Sequence, residues 1–182
     1  HATLSVGGFR CKSDLRTSLN GTGSSVRQSI TVNADGSRHD DEHVEIHHHH
    51  GHTQSDLVMN SACGGSSHFI GTGLLTIAEG ANKSDASQVF RNLLLSPNAR
   101  AEAIPELEVL ADDVSAAHGA ASAPVDNNQL HYLMSRGLDP QEAESVIVNG
   151  FLYDAFSNLT NKELLEEMRT RLTVHLECEL KR

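Results

Sequence analysis

Asn92-Leu93-Leu94-Leu95-Ser96-Pro97-Asn98-Ala99-Arg100-Ala101-Glu102-Ala103-Ile104-Pro105-Glu106-Leu107-Glu108-Val109 runs on through Ala111-Asp112-Asp113-Val114 to Ala117-His118-Gly119-Ala120, and this stretch is the most informative part of the chain. Glu106 to Leu110 within it reads as a strand. Upstream, glycines recur at Gly8, Gly21/Gly23, Gly36, Gly51, Gly65 and Gly80, a spacing near the length of two short strands plus their turns. Between them Ser25 to Val32, His43 to His49, Asp56 to Ser61, Ser67 to Ile70 and Leu74 to Ala78 read as further strands. Most alternate apolar and polar residues, which suits sheets with one wet face. Turn spacing alone is compatible with a β-sandwich, a cupin-like barrel or a β-solenoid, because all three use short strands punctuated by Gly and Asn/Asp turns.

Downstream of Pro124 the composition shifts to Leu, Glu and helix formers. Asp126 caps a short helix carrying Leu130, Leu133 and Met134 and closed by Gly137. Asp139-Pro140-Gln141-Glu142 supplies a cap, a first-turn proline and an acid, ahead of Ala143, Val146, Ile147, Gly150 and Phe151 on one face. Thr160-Asn161-Lys162-Glu163 repeats the capping signal before a stripe of Leu164, Leu165, Met168, Leu172 and Leu176. The expected organisation is a β unit over residues 1–122 and a helical segment over 123–182.

Composition narrows the function. At 182 residues the chain is long enough for one ordinary domain or two very small ones. Its formal net charge of -10 removes the usual source of phosphate neutralisation, so nucleic acid is not an expected partner. No apolar run approaches the ~18 residues needed to cross a bilayer, and the first residues form no signal peptide, so a soluble intracellular chain is expected. Because it begins at His1 in what reads as mid-strand, a processed chain or a fragment is expected. The three cysteines, Cys11, Cys63 and Cys178, are odd in number and widely spaced, which predicts reduced thiols. Arg38-His39-Asp40-Asp41-Glu42 reads as a solvated turn and Gly71-Thr72-Gly73 as another.

The twelve histidines cluster in His43-Val44-Glu45-Ile46-His47-His48-His49-His50-Gly51-His52. On a strand, His43, Glu45, His47 and His49 share one face, a donor set suited to Zn, Fe, Ni or Cu. This defines one functional alternative, a cupin-like β-barrel metalloenzyme. The sequence identifies no partner to orient the imidazoles and no ligands from a second strand, which favours solvent-facing histidines.

Taken with Gln129-Leu130-His131-Tyr132-Leu133-Met134-Ser135-Arg136-Gly137-Leu138, the opening stretch closely resembles the core of the SufB/SufD family, the paired scaffold subunits of the SUF iron-sulfur cluster assembly machine. The resemblance runs from about His43 to Phe156, including His43-x-x-x-His47 and Thr53-x-Ser55, and continues more loosely on either side. SufB-type chains carry a key cysteine where this chain has Phe90, and a Glu where it has Gly119. Both departures point to the SufD type. SufD-like chains lead from Ala-Asp-Asp-Val into Cys-x-His-Gly; here the histidine is His118 and the cysteine position is Ala116, so a ligand role would fall to His118 alone.

The resemblance implies a mainly β fold, a right-handed parallel β-helix followed by the C-terminal helical segment. It implies a noncatalytic scaffold that pairs with a SufB-like subunit, or with itself as a homodimer, and docks the SufC ATPase of the ABC class. Leu130, Tyr132, Met134, Arg136 and Gly137 are the expected docking residues, within helices spanning Asp126 to Phe156. An iron-sulfur cluster would be held transiently at the subunit interface, with none tightly bound by the isolated chain. The expected compartment is the cytoplasm, or a plastid for a plant or alga.

Overall fold

The structure, a computed structural model, describes residues 1–157 and 159–180. Lys181 and Arg182, the end of the expected helical segment, lie outside the described residues. Among the described residues nine strands come first: β1 (Ala2–Val6), β2 (Arg10–Leu19), β3 (Ser25–Ala34), β4 (His39–His48), β5 (Gln54–Cys63), β6 (His68–Ile77), β7 (Asp85–Leu94), β8 (Arg100–Val109) and β9 (Ser115–Pro124). Three helices follow: α1 (Asn127–Ser135), α2 (Pro140–Asp154) and α3 (Lys162–Leu180).

Odd strands form a five-stranded sheet in the order β1-β3-β5-β7-β9, and even strands a four-stranded sheet in the order β2-β4-β6-β8. Every pairing is parallel. The chain therefore winds as a parallel β-solenoid of about four turns, crossing from one sheet to the other at each turn. Arg10 pairs with His39, and His39 with His68, so one full coil takes about 29 residues there. Each glycine interval thus covers one ten-residue strand and its turn, half a coil, and not two short strands. The turns stack as the strands do: Gly36 and Gly65 adopt φ of 63° and 55°, and a Cβ on Gly65 would lie 2.7 Å from the backbone of Gly36.

The interior is one apolar cluster built by strand alternation, including Ile30, Val32, Val44, Ile46, Leu57, Met59, Phe69, Leu75 and Phe90. This filling explains a correction to the sequence reading. Gly71-Thr72-Gly73 is not a turn but the middle of β6, which joins the two separately expected strands into one. Both glycines face the lumen where it is fullest, since a Cβ on Gly71 would sit 2.7 Å from Met59 Sδ and one on Gly73 2.6 Å from Phe90 Cζ. Arg38-His39-Asp40-Asp41-Glu42 is likewise no solvated turn: Arg38 immediately precedes β4 and the other four residues open it, with Arg38, Asp40 and Glu42 buried.

The four-stranded sheet keeps the expected single wet face along β4 and β6. β3 and β5 are buried on both faces over most of their length, because α2 and α3 cover the outside of their sheet. Ala62 and Leu93 project outward there and pack with Val148, Leu152, Leu172 and Leu176. Thr31 Oγ1 donates to Leu152 O at 3.0 Å and Asn60 Nδ2 to Phe151 O at 2.8 Å, so sheet side chains satisfy carbonyls near the end of α2. Asp139 and Glu142 close the expected capping box. The buried side of α2 is rotated from the expected one: Ala143, Val148 and Leu152 are buried while Val146 is exposed.

Candidate functional site

β8 and β9 are the outer strands of the two sheets at the last turn of the coil. His118 lies in β9, in register with Gln88 of β7, whose side chain is fully buried. The alternation that packs Ala116 against the interior cluster puts His118 on the same inward side, yet among the described residues no further strand covers it and it is exposed. Phe90 is buried one coil below, in register with Ala120. Asn92 links the last turns by accepting from Ser61 Oγ at 2.7 Å and donating to Ser122 Oγ at 3.0 Å. A histidine so placed can donate one imidazole nitrogen to a metal shared with a partner seated on that edge.

The expected docking residues lie together on α1 and its end. α1 buries no residue; Tyr132 and Met134 are exposed, and Leu130 is half-buried. Arg136 stacks over the Tyr132 ring at 5.2 Å, and Gly137 takes the left-handed conformation, φ 102°, that ends the helix. A shallow groove lined by Gln129, Tyr132, Leu133 and Ile147 runs between α1 and α2. Such an unburied amphipathic helix suits a partner surface better than a core.

The histidine cluster divides by strand parity. His43, Glu45 and His47 share the outer face of β4, with Glu45 Oε1 3.0 Å from His43 Nε2 and Oε2 3.2 Å from His47 Nε2. Hydrogen bonds from His43 and then His47 hold the Glu45 carboxyl below the usual carboxylate range, with Arg16 adding to them. The carboxylate thereby spends one oxygen on each imidazole. His49 lies past the strand end and stacks at 6.1 Å on His47. The parallel solenoid is not a cupin barrel, so the metalloenzyme alternative loses the scaffold on which it depended. His48 departs from the solvent-facing reading: it is fully buried, with Nδ1 2.7 Å from Thr53 Oγ1 and Nε2 2.8 Å from Ser55 Oγ. Burial pushes its pKa down, Asp85 opposing, so it is a neutral interior group.

Sequence reasoning missed a second constellation, between the first two coils. Arg38 Nε and Nη2 clamp Asp40 with two 2.5 Å bonds, and Ser5 Oγ donates to Asp40 Oδ1 at 3.2 Å. Glu42, one alternation along the same inward face, is 1% exposed, and burial raises its pKa. The alternating Arg38-x-Asp40-x-Glu42 is the signal that, read as a strand, would have placed all three on one face.

Comparison with known proteins assigns this architecture. Residues 1–151 match the family model for the SUF system FeS cluster assembly SufBD core domain. The chain belongs to the SufBD family. This SufBD chain is similar to the SufD iron-sulfur cluster assembly protein of Escherichia coli, 28% identical over 167 residues, 92% of this chain and 40% of that protein. It is similar to SufD of Bacillus subtilis, 32% identical over 169 residues, 93% of this chain and 38% of that protein. Protein ABCI7, chloroplastic, of Arabidopsis thaliana is 33% identical over 92 residues, covering 50% of this chain and 19% of that protein. The SufBD chain thus spans less than half the length of these relatives. No helix among the described residues is long and apolar enough to cross a membrane.

Proposed function

We propose that the chain acts as a SufD-like, noncatalytic scaffold in iron-sulfur cluster assembly. Residues 1–122 form the pairing unit, which joins a SufB-like subunit, or a second copy of itself, at the solenoid edge. Residues 123–182 form the docking unit, in which α1 and α2 receive a SufC-like ABC ATPase through Leu130, Tyr132, Met134, Arg136 and Gly137. The cluster is held transiently between subunits, with His118 as this chain's ligand. The proposed compartment is the cytoplasm, or a plastid in a plant or alga.

The observation that carries this reading is the exposure of His118 on outer strand β9, whose far edge pairs with no strand among the described residues. The free edge suits another solenoid, and an imidazole there would enter any interface built on it. Tyr132 and Met134 support the ATPase assignment, because aromatic residues and Met are enriched in interface cores.

Co-expression with SufB-like and SufC-like partners tests the proposal, with size-exclusion mass and iron and sulfide analysis of the complex. A stable complex that holds iron and sulfide only when assembled is expected, with His118→Ala lowering cluster yield roughly tenfold at unchanged complex mass. Unchanged yield in that variant removes His118 from the cluster, and a chain that captures neither partner removes the scaffold assignment.

A further inference from the structure

We infer that Cys11, Asp40 and Glu42 form a binding site for one divalent transition-metal ion of the Zn²⁺/Fe²⁺ class, between the first two coils of the solenoid. The ligand atoms of these three side chains all lie within 4.8 Å of one another. Two adjacent strands bring them together: Cys11 of β2 is in register with Asp40 of β4, and Glu42 follows two residues on, on the same inward face.

The independent pointer is Glu42. Its side chain is 1% exposed, and its Oε2 is buried without a hydrogen-bond partner. A carboxylate oxygen orphaned in the interior is strongly unfavourable unless something neutralises or binds it, and a cation does both. Charge supports the same conclusion. With a thiolate and two carboxylates bound, Arg38 adds one positive charge to three negative ones, and a dication makes the enclosed group neutral. Thiolate with carboxylates is a borderline donor set that selects Zn²⁺ or Fe²⁺ over Mg²⁺ or Ca²⁺, and three protein ligands leave a fourth tetrahedral position for water. Cys11 is half-exposed, which supplies the way in. The site lies between the first two coils while His118 lies in the last, and it stands or falls without affecting the interface reading.

The competing occupant is a water molecule joining Glu42 Oε2 to Arg38 Nη1, which is also buried without a partner. Titration with Co²⁺ separates the two, because bound thiolate gives a sulfur-to-cobalt charge-transfer absorption that water and imidazole do not produce. The chain is titrated in a Cys178→Ser background with His47, His49, His50 and His52 changed to Asn, which removes the exposed thiol and adventitious imidazoles. About one Co²⁺ per chain with the thiolate band is expected, displaced by Zn²⁺. Cys11→Ser should abolish the band, and Glu42→Gln, nearly the same shape without the charge, should weaken binding roughly tenfold or more. Circular dichroism of both variants checks that the fold persists; if either unfolds, Cys11→Ala and Glu42→Ala are read instead. A missing band in the folded parent, or a band unchanged by Glu42→Gln, overturns the site.

Discussion

Cys63 and Cys178 carry the same thiol in opposite surroundings. Cys63 ends β5 in the interior cluster, fully buried, and burial pushes its pKa up to about 11. Since the thiolate is the nucleophile, Cys63 is almost entirely unreactive at neutral pH, while exposed Cys178 on α3 meets reagent freely. Brief alkylation with iodoacetamide at neutral pH, followed by peptide mass mapping, should modify Cys178 and leave Cys63 unmodified until denaturant is added. Native labelling of Cys63 at a comparable rate would mean that the strand end opens far more often than its packing implies. Residue-scale chemistry was partly legible in the sequence. Reduced, widely spaced cysteines and the shared outer face of His43, Glu45 and His47 follow from spacing and parity alone. The inward turn of His48 does not, since a run of four histidines carries no sign of which one meets Thr53 and Ser55.

At the scale of the element, β6 shows how a solenoid strand differs from what local propensity suggests. Glycine at positions 71 and 73 argues for a turn by composition, yet the strand continues through both because neighbouring coils fill the lumen from either side. Gly73→Ala therefore drives a methyl to 2.5 Å from Gln88 Oε1 and 2.6 Å from Phe90 Cζ, contacts relieved only by shifting two buried side chains. Overpacking of this kind costs about 1–3 kcal/mol. A urea midpoint lowered to match, with an unchanged m-value, is the expected result, and an unaffected midpoint would show that the lumen has room the geometry denies. Helix boundaries were the more legible part, since caps act within a few residues: Asp126 and Asp139 cap α1 and α2 as their spacing announces. The charged opening of β4 was illegible because charge run and turn are normally the same thing. Here Arg38 and Asp40 pair inside the coil, and no local pattern discloses a partner that is itself buried.

Across the whole molecule, stability is divided between coils stacked along one axis and a helical layer laid against one side. Each coil touches chiefly the coil before and after it, so the solenoid approximates a one-dimensional array of similar units. The helices break that uniformity. They cover the outside of the odd-strand sheet alone, and Leu152 is the fully buried side chain of α2 in the seam between layers, beside Val148 and outward-facing Ala62 and Leu93. Its carbonyl also accepts from Thr31, so packing and hydrogen bonding coincide at one residue. Leu152→Ala leaves a cavity in that seam without touching the lumen, at a cost of about 2–5 kcal/mol. If the two layers form one cooperative unit, urea unfolding followed by far-ultraviolet circular dichroism shifts as a single transition. A variant that splits into two transitions, helical signal lost first, would instead mark the helical segment as a separable layer held on by this seam. Hydrogen exchange distinguishes the cases independently. In a cooperative molecule the protection of Val44, Ile46, Leu57 and Met59 falls along with that of α2, whereas in a separable one only α2 exchanges faster while the coil amides keep their parent rates.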